Sequence, residues 1–442
     1  MVKEIYIAGE WRLGRGNVIQ SLFPADNSVN AEISTATLED VEEAVVRADQ
    51  AWRKPEWRNS LPHERAKILY KVADIIESRA DELSKLQTRD NGKPLAETLA
   101  LVMSAAATAR FNAAACETFN EELTTQRAPD FLTMSVHEPV GVIAAITPWN
   151  SPIASEVQKL APAIAAGNAV ILKPAEATSL IALELAKIFE EAGLPKGILS
   201  VLVGRGSVIG DALAQHPLVR KISFTGGTTT GRHLAHIAAE KLITTSLELG
   251  GKSPTIVFPD ADIEIAAKGI AYGIFSSAGQ ACIAGSRLFI HSSIYEQFLK
   301  RLVEITEGLR VGHPETPNVH MGSLINQKHL ESVHRYVELA KSEGGTVVTG
   351  GEAITEGEFA KGSFYKPTII TGLKNSAQTC QEEIFGPVLV VMSYDNEQDL
   401  IEQANDSCFG LAAGIWTENY RKAWKIARTL EVGTVWINTY KK

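Results

Sequence analysis

Covalent chemistry needs a nucleophile, a base and something that holds developing charge, and three short segments of this sequence offer them. In Ser276-Ser277-Ala278-Gly279-Gln280-Ala281-Cys282-Ile283-Ala284-Gly285 a lone cysteine sits among small residues, flanked by glycines that let the backbone approach a ligand. Cys282 reads there as a thiol nucleophile, and the competing reading is a buried, inert cysteine. In Ser246-Leu247-Glu248-Leu249-Gly250-Gly251-Lys252 a carboxylate lies between two leucines ahead of paired glycines. Glu248 reads either as a general base whose pKa is raised by apolar surroundings or as one arm of a salt bridge at a domain junction. Asn150, in Thr147-Pro148-Trp149-Asn150, directly follows an apolar run, so its amide either donates to an oxyanion or caps the next helix.

Two more segments suit a dinucleotide. Leu172-Lys173-Pro174-Ala175-Glu176 places a cation and a carboxylate after a strand, where the carboxylate can accept from ribose hydroxyls and would repel a 2′-phosphate. Phe224-Thr225-Gly226-Gly227-Thr228 is a glycine-rich strand-to-helix turn fit for pyrophosphate at a helix N-terminus. Gly204-Arg205-Gly206-Ser207-Val208-Ile209-Gly210 has loop glycines but misses GxGxxG by one residue. Glycine turns of this kind are also ordinary connectors.

The elements that must carry these segments follow from periodicity. Val41, Ala44, Val45, Ala48 and Trp52 recur at helical spacing, which predicts a helix over Leu38–Trp52 with Thr37 and Asp40 as a capping box. A second helix is predicted from Pro62 to the Asn91-Gly92 stop, and a third to about Ala115. From Val140 short apolar runs alternate with amphipathic helices: strands at 140–147, 169–173, 198–203 and 221–225, helices near 155–166, 178–192 and 208–215. A second series has strands at 255–258, 288–291, 346–348, 388–394 and 434–438. Near-continuous apolar strands between helices imply parallel sheets covered on both faces. The fold expected is therefore α/β: a Rossmann-like cofactor domain at 1–120 and 140–248, and a second α/β catalytic domain at 249–442. Residues 121–139, with Leu132, Met134 and Val136 alternating with polar neighbours, read as a half-buried antiparallel hairpin inserted in the first domain.

Composition narrows the class. At 442 residues the chain exceeds a single core, and a net charge of −9 argues against a nucleic-acid partner. Four dispersed cysteines without a CxxC pair read as thiols of a reducing compartment, the cytoplasm. Ten histidines form no zinc-ligand spacing, so no metal is expected. Apolar runs such as Val140–Ile146 are too short to span a bilayer, and the N-terminus lacks a signal-peptide pattern.

Taken together and in this order, the segments resemble the aldehyde dehydrogenase superfamily. The resemblance runs from Ala8-Gly9-Glu10-Trp11 through Gly92-Lys93-Pro94 to Ile437-Asn438-Thr439. Its most specific elements are Glu248-Leu249-Gly250-Gly251-Lys252, Gly279-Gln280-Ala281-Cys282 and Glu382-Glu383-Ile384-Phe385-Gly386-Pro387. The resemblance implies attack of the Cys282 thiolate on an aldehyde, an oxyanion held by the Asn150 amide and the Cys282 backbone N–H, and a thioester hydrolysed by Glu248-activated water. It further implies Lys173 and Glu176 at the adenosine ribose, Trp149 lining the cofactor cleft, Gly226 and Gly227 at the pyrophosphate, and Glu383 with Phe385 at the nicotinamide ribose. Glu176 favours NAD over NADP, and a homodimer or homotetramer is expected.

Three departures stand out. Many relatives carry a serine at Gly227. Positions that form an aromatic substrate funnel in many relatives carry Ser151, Ser155, Gln158 and Ser276, with Phe275 retained, which implies a polar or bulky substrate. Relatives also continue past the position of Lys442 through a pocket loop and a strand paired across subunits. Two alternatives share the fold: a coenzyme-A-acylating semialdehyde dehydrogenase, which Glu248 disfavours, and a crystallin-like silent protein, which the set Cys282, Glu248 and Asn150 disfavours. A cysteine hydrolase would need a histidine, and none lies in the three motifs.

Overall fold

The computed structural model describes residues 1–441. The chain forms two compact units: the first takes Met1–Leu22, Val29–Asp90 and Ala96–Glu248, and the second takes Phe23–Ser28, Asn91–Leu95 and the chain from Leu249 onward.

The first unit opens with two antiparallel pairs, β1 (Ile5–Ile7) with β2 (Glu10–Arg12) and β3 (Val18–Leu22) with β4 (Val29–Ser34). Helix α1 (Leu38–Trp52) buries the expected stripe, and the Asp40 carboxylate accepts from the Thr37 N–H at 3.0 Å. After α2 (Pro55–Arg58), the single helix expected from Pro62 is two, α3 (Pro62–Ser78) and α4 (Ala80–Asn91), because Arg79 leaves helical geometry at φ −108, ψ 18. Next, α5 (Leu95–Thr118) is long and apolar enough, by length and composition, to cross a membrane, which the sequence reading had not found. Alanine supplies much of that hydropathy, and Val102, Ala105, Ala106, Ala109 and Ala113 are buried at helical spacing.

The expected hairpin at 121–139 is only a single antiparallel bridge, Leu123 to Met134. Nearly every side chain on it is exposed, so it is not half-buried. Parallel strands follow: β5 (Val142–Ile146), β6 (Ala169–Lys173), β7 (Leu199–Val201), β8 (Val219–Thr225) and β9 (Thr244–Glu248). Between them run α6 (Pro152–Ala165), α7 (Ser179–Glu191), α8 (Asp211–Gln215) and α9 (Thr228–Lys241). The sheet order is β2-β1-β7-β6-β5-β8-β9, with β5 to β9 parallel. The chain winds from β5 out to β7 and then crosses to the other flank of β5. That reversal opens a crevice at the carboxyl ends of β5 and β8, where α/β sheets take ligands.

The second unit is built on β10 (Pro254–Val257), β11 (Arg287–His291), β12 (Thr346–Thr349), β13 (Ala353–Ile354), β14 (Phe364–Tyr365), β15 (Thr368–Thr371), β16 (Val388–Tyr394), β17 (Ala412–Trp416) and β18 (Thr434–Ile437). Its main sheet runs β12-β15-β16-β11-β10-β17-β18, antiparallel only at β12. It too reverses at its first strand. Helix α10 (Ile263–Phe275) follows β10, capped by Asp262 accepting from the Ile265 N–H. Leu288, Phe289, Val388, Val390 and Ile415 are among its fully buried core residues.

Candidate active site

In the first unit the residues singled out for catalysis and cofactor binding stand at the carboxyl ends of parallel strands, while Ser155 and Gln158 lie on α6. Trp149 and Asn150 leave β5; Asn150 is buried and Trp149 half-buried. Lys173 ends β6, buried, with its ammonium donating to the Pro174 carbonyl at 2.8 Å. Burial pushes that ammonium down to about 8, against the pull of the Glu176 carboxylate. Glu176, half-buried, opens the short turn ahead of α7.

Gly226 must be glycine, since a Cβ there would lie 2.5 Å from the Phe224 ring. Gly227 is the N-cap of α9, with open space where a Cβ would stand. The buried Thr228 hydroxyl beside it has no hydrogen-bond partner. An orphaned hydroxyl at the N-terminus of a 14-residue helix fits a phosphate.

Glu248 ends β9, a strand the sequence reading missed because Thr244-Thr245-Ser246 is polar. The carboxylate is exposed, so the apolar surroundings expected for it are not there. Its charge acts on Lys159 of α6, which the sequence reading passed over. Lys159 is buried, donates to the Ser223 hydroxyl at 3.2 Å and is pushed down to about 8 by burial, while the Glu248 charge raises it. A lysine inside the apolar run Ile153–Ala166 was the available signal.

The second unit assembles three sequence motifs around Cys282. A Cβ at Gly251 would collide with the Cys282 carbonyl, and one at Gly279 with the Gly386 carbonyl. The Gly251 N–H donates to Glu383 Oε1 at 3.1 Å, and Gly250 leaves no room for a Cβ beside the same carboxylate. Burial raises the Glu383 pKa, with the Gly251 N–H opposing.

The Cys282 loop is unusual in its backbone. Ser277, Ala278 and Gly279 are all left-handed, at φ 59, 51 and 71. Two non-glycine residues there store roughly 1–3 kcal/mol each, so the surroundings must over-determine them. Gln280 supplies part of that: buried, it accepts from the Ile325 N–H at 2.9 Å and donates to the Ser277 carbonyl at 3.1 Å. Cys282 itself is half-buried.

The neighbouring turn is held in the same way. Phe385 is left-handed at φ 57, and its carbonyl accepts from His329 Nε2 at 2.8 Å. The buried Lys252 ammonium donates to the carbonyls of Thr379 at 2.8 Å and Glu382 at 2.5 Å. Burial lowers it to about 7. The sequence reading missed the supports His329 and Lys252, whose partners are main-chain carbonyls with no sequence signature. Among the described residues no group of His, Cys, Asp and Glu is placed to hold a metal ion.

The sequence model of the aldehyde dehydrogenase family matches residues 11–442. Among solved structures, an NAD+ complex of an aldehyde dehydrogenase from Bacillus cereus is 38% identical with a TM-score of 0.97, covering 100% of this chain and 89% of its own. A betaine aldehyde dehydrogenase variant from Staphylococcus aureus, also an NAD+ complex, is 36% identical with a TM-score of 0.98, covering 100% of this chain and 90% of its own. A third similar structure, from Burkholderia cenocepacia, is 37% identical with a TM-score of 0.97, covering 100% of this chain and 90% of its own.

Proposed function

The chain belongs to the aldehyde dehydrogenase family, and from that premise we propose that it oxidises an aldehyde to its carboxylate with NAD+ as acceptor, through a thioester on Cys282. The observation that carries the reading is the packing of all three motifs on Cys282 within the second unit: Gly251 on its carbonyl, Glu383 on Gly251, and Gly386 on Gly279.

The Cys282 thiolate adds to the carbonyl carbon, and the electron pair moves to oxygen. Donors assigned to that oxyanion are the Asn150 amide and the Cys282 N–H; removing one such donor costs about 3 kcal/mol in comparable sites. Bound in the cleft, NAD+ would supply the acceptor for the hydride that collapse of the alkoxide expels. Glu248 then takes a proton from water, whose oxygen adds to the thioester carbon; the C–S bond breaks and the thiolate is restored.

The residues assigned to NAD+ are Lys173 and Glu176 at the adenosine ribose, Gly226 and Gly227 with the α9 N-terminus at the pyrophosphate, Trp149 along the cleft, and Glu383 and Phe385 at the nicotinamide ribose. The orphaned Thr228 hydroxyl supports this assignment. Glu176 supports NAD+ over NADP+, because its charge opposes a 2′-phosphate.

Exposed Phe119, Leu123, Phe131, Leu132, Met134 and Val136 support self-association as a homodimer or homotetramer, which sedimentation would measure. A cytoplasmic location is supported by four cysteines, none in a disulfide.

The test is rapid-mixing NADH formation. Cys282→Ala should abolish it, and Glu248→Gln should keep a burst of about one equivalent while slowing later turnover. Turnover of the Gln variant at the parent rate would remove Glu248 from its role. Turnover that required coenzyme A would replace hydrolysis by acyl transfer.

A further inference from the structure

The segment after β18 returns along the second unit to the Cys282 loop. Asn438, left-handed at φ 54, turns the chain. Its side chain is fixed by the Thr417 backbone, accepting from the N–H at 3.0 Å and donating to the carbonyl at 2.9 Å. Tyr440, 3% exposed, then drops its ring into a cradle of three glycines. A Cβ would stand 2.9 Å from that ring at Gly273, 3.2 Å at Gly285 and 2.6 Å at Gly414. Trp436 of β18 packs on the same ring, with the two centroids 4.8 Å apart. Gly273 belongs to α10 and Gly414 to β17, so both are held by regular structure. Gly285 differs, because it lies in irregular chain between Cys282 and β11.

We propose that Tyr440 is a positioning residue for Cys282, its ring the wedge that sets where the Cys282 loop leaves for β11 and hence where the sulfur meets an aldehyde. This rests on the reaction proposed at Cys282. Two ties bracket the sulfur. Gln280 holds the chain just before it, through the Ile325 N–H at 2.9 Å, and the Tyr440 ring meets Gly285 just after it. Between the ties the Ala284 N–H donates to the Ala281 carbonyl at 3.0 Å, so 281–284 is one tight turn and a shift at Gly285 passes to Cys282. Burial raises the phenol above its ordinary value and the Cys282 charge adds to this, so the ring lies within electrostatic reach of the sulfur. A smaller side chain at position 440 would leave the cradle empty, and of its three walls only the irregular one at Gly285 is free to move in.

The experiment follows the first burst of NADH in the full-length protein at saturating NAD+, over a panel of aliphatic, aromatic, hydroxylated and quaternary-ammonium aldehydes. NAD+ affinity is read alongside by calorimetry. Tyr440→Leu should slow the burst about tenfold or more and leave NAD+ affinity within about twofold, because a small displacement of a reacting group is costly to rate alone. Tyr440→Phe keeps the ring and should restore most of the rate. Gly273→Ala suits a helix, and its Cβ meets the Tyr440 ring first, so it should slow the burst several-fold from a position outside the loop. That variant carries the test if the Leu variant does not fold. Combining Gly273→Ala with Tyr440→Leu should cost no more than Leu alone, since both act through one ring. A burst at the parent rate in the Leu or the Ala variant, a Phe variant as slow as Leu, or losses that multiply on combination overturns the proposal. If the folded parent binds NAD+ and yields no NADH from any of the panel, the oxidation reading fails and takes this proposal with it.

Discussion

In the first unit the chemistry-bearing residues follow parallel strands: Asn150 after β5, Lys173 at the end of β6, Gly226 after β8 and Glu248 at the end of β9. In the second they precede them: Gly251 ahead of β10, Cys282 ahead of β11 and Gly386 ahead of β16. Strand ends of the first kind open onto helix N-termini, whose N–H groups and dipole favour anions. Strand entrances have no such donor, and the second unit positions its residues by contact instead. Glycine allows backbone to touch backbone, and Gln280, His329 and Lys252 reach main-chain groups. A helix start can therefore hold a ligand with Gly226 as its one required glycine, whereas the Cys282 loop depends on several, Gly250, Gly251 and Gly279 among them.

That contrast can be broken most directly at Gly279. Gly279→Ala adds a Cβ to a left-handed residue against the Gly386 carbonyl. A displacement of about 1 Å at a reacting group costs roughly 100-fold, so kcat should fall by at least that much. NAD+ affinity by calorimetry should fall far less, because the strand-end residues of the first unit are untouched. Equal losses in both would erase the distinction.

Lys159→Met sharpens it from the first unit. The Glu248 charge raises the buried Lys159 ammonium, so the two groups attract each other. Removing the ammonium should slow the later turnover several-fold while the first burst of NADH stays near one equivalent. Later turnover at the parent rate would detach Lys159 from Glu248.

A smaller effect concerns stability in the first unit. Burial raises Asp90 from 3.8 to about 7 and raises Glu156 well above its ordinary value, with the Asp90 charge adding to the latter. Neither Glu156 carboxyl oxygen has a hydrogen-bond partner. Folded values above unfolded ones mean that stability begins to fall once pH exceeds the unfolded value near 4. For Asp90 the cost is complete above about 7. Glu156→Gln should therefore stabilise the protein at pH 8 and much less at pH 5, read as a rise in Tm. A larger gain at pH 5 than at pH 8 would contradict the sign.

The smallest change is Gly227→Ser. The position is open and caps α9, so a serine should tighten NAD+ binding a few-fold by calorimetry and cost no stability. A loss of stability would mean that the α9 N-terminus depends on Gly227 as well as on Gly226.

Much of this was legible in the sequence where one pattern repeats. α1 follows from five apolar residues at helical spacing, and β6 and β16 from unbroken apolar runs. β9 and β17 escaped, the first being Thr-Thr-Ser-Leu-Glu and the second containing Ala-Ala-Gly, compositions that resemble loops until neighbouring strands pair with them. The break at Arg79 escaped because arginine is a good helix former and the apolar stripe continues across it. Among the candidate site residues, Cys282 and Glu383 were singled out from their motifs, and the structure packs those motifs together. The exposure of Glu248 was not, because burial is a property of the neighbours. Left-handed Ser277 and Ala278 carry no sequence signal, since their geometry is imposed by what surrounds them.

The glycine cradle of Tyr440 also sets an order of events. Its ring meets residues on α10, the nucleophile loop and β17, so it can seat only after more than 150 intervening residues have been placed, counting from Gly285. During synthesis on the ribosome the loop stays unfinished until the segment after β18 has emerged. Cys282 reaches its final setting only then, and refolding experiments should recover catalysis on the last kinetic phase, after bulk secondary structure has returned.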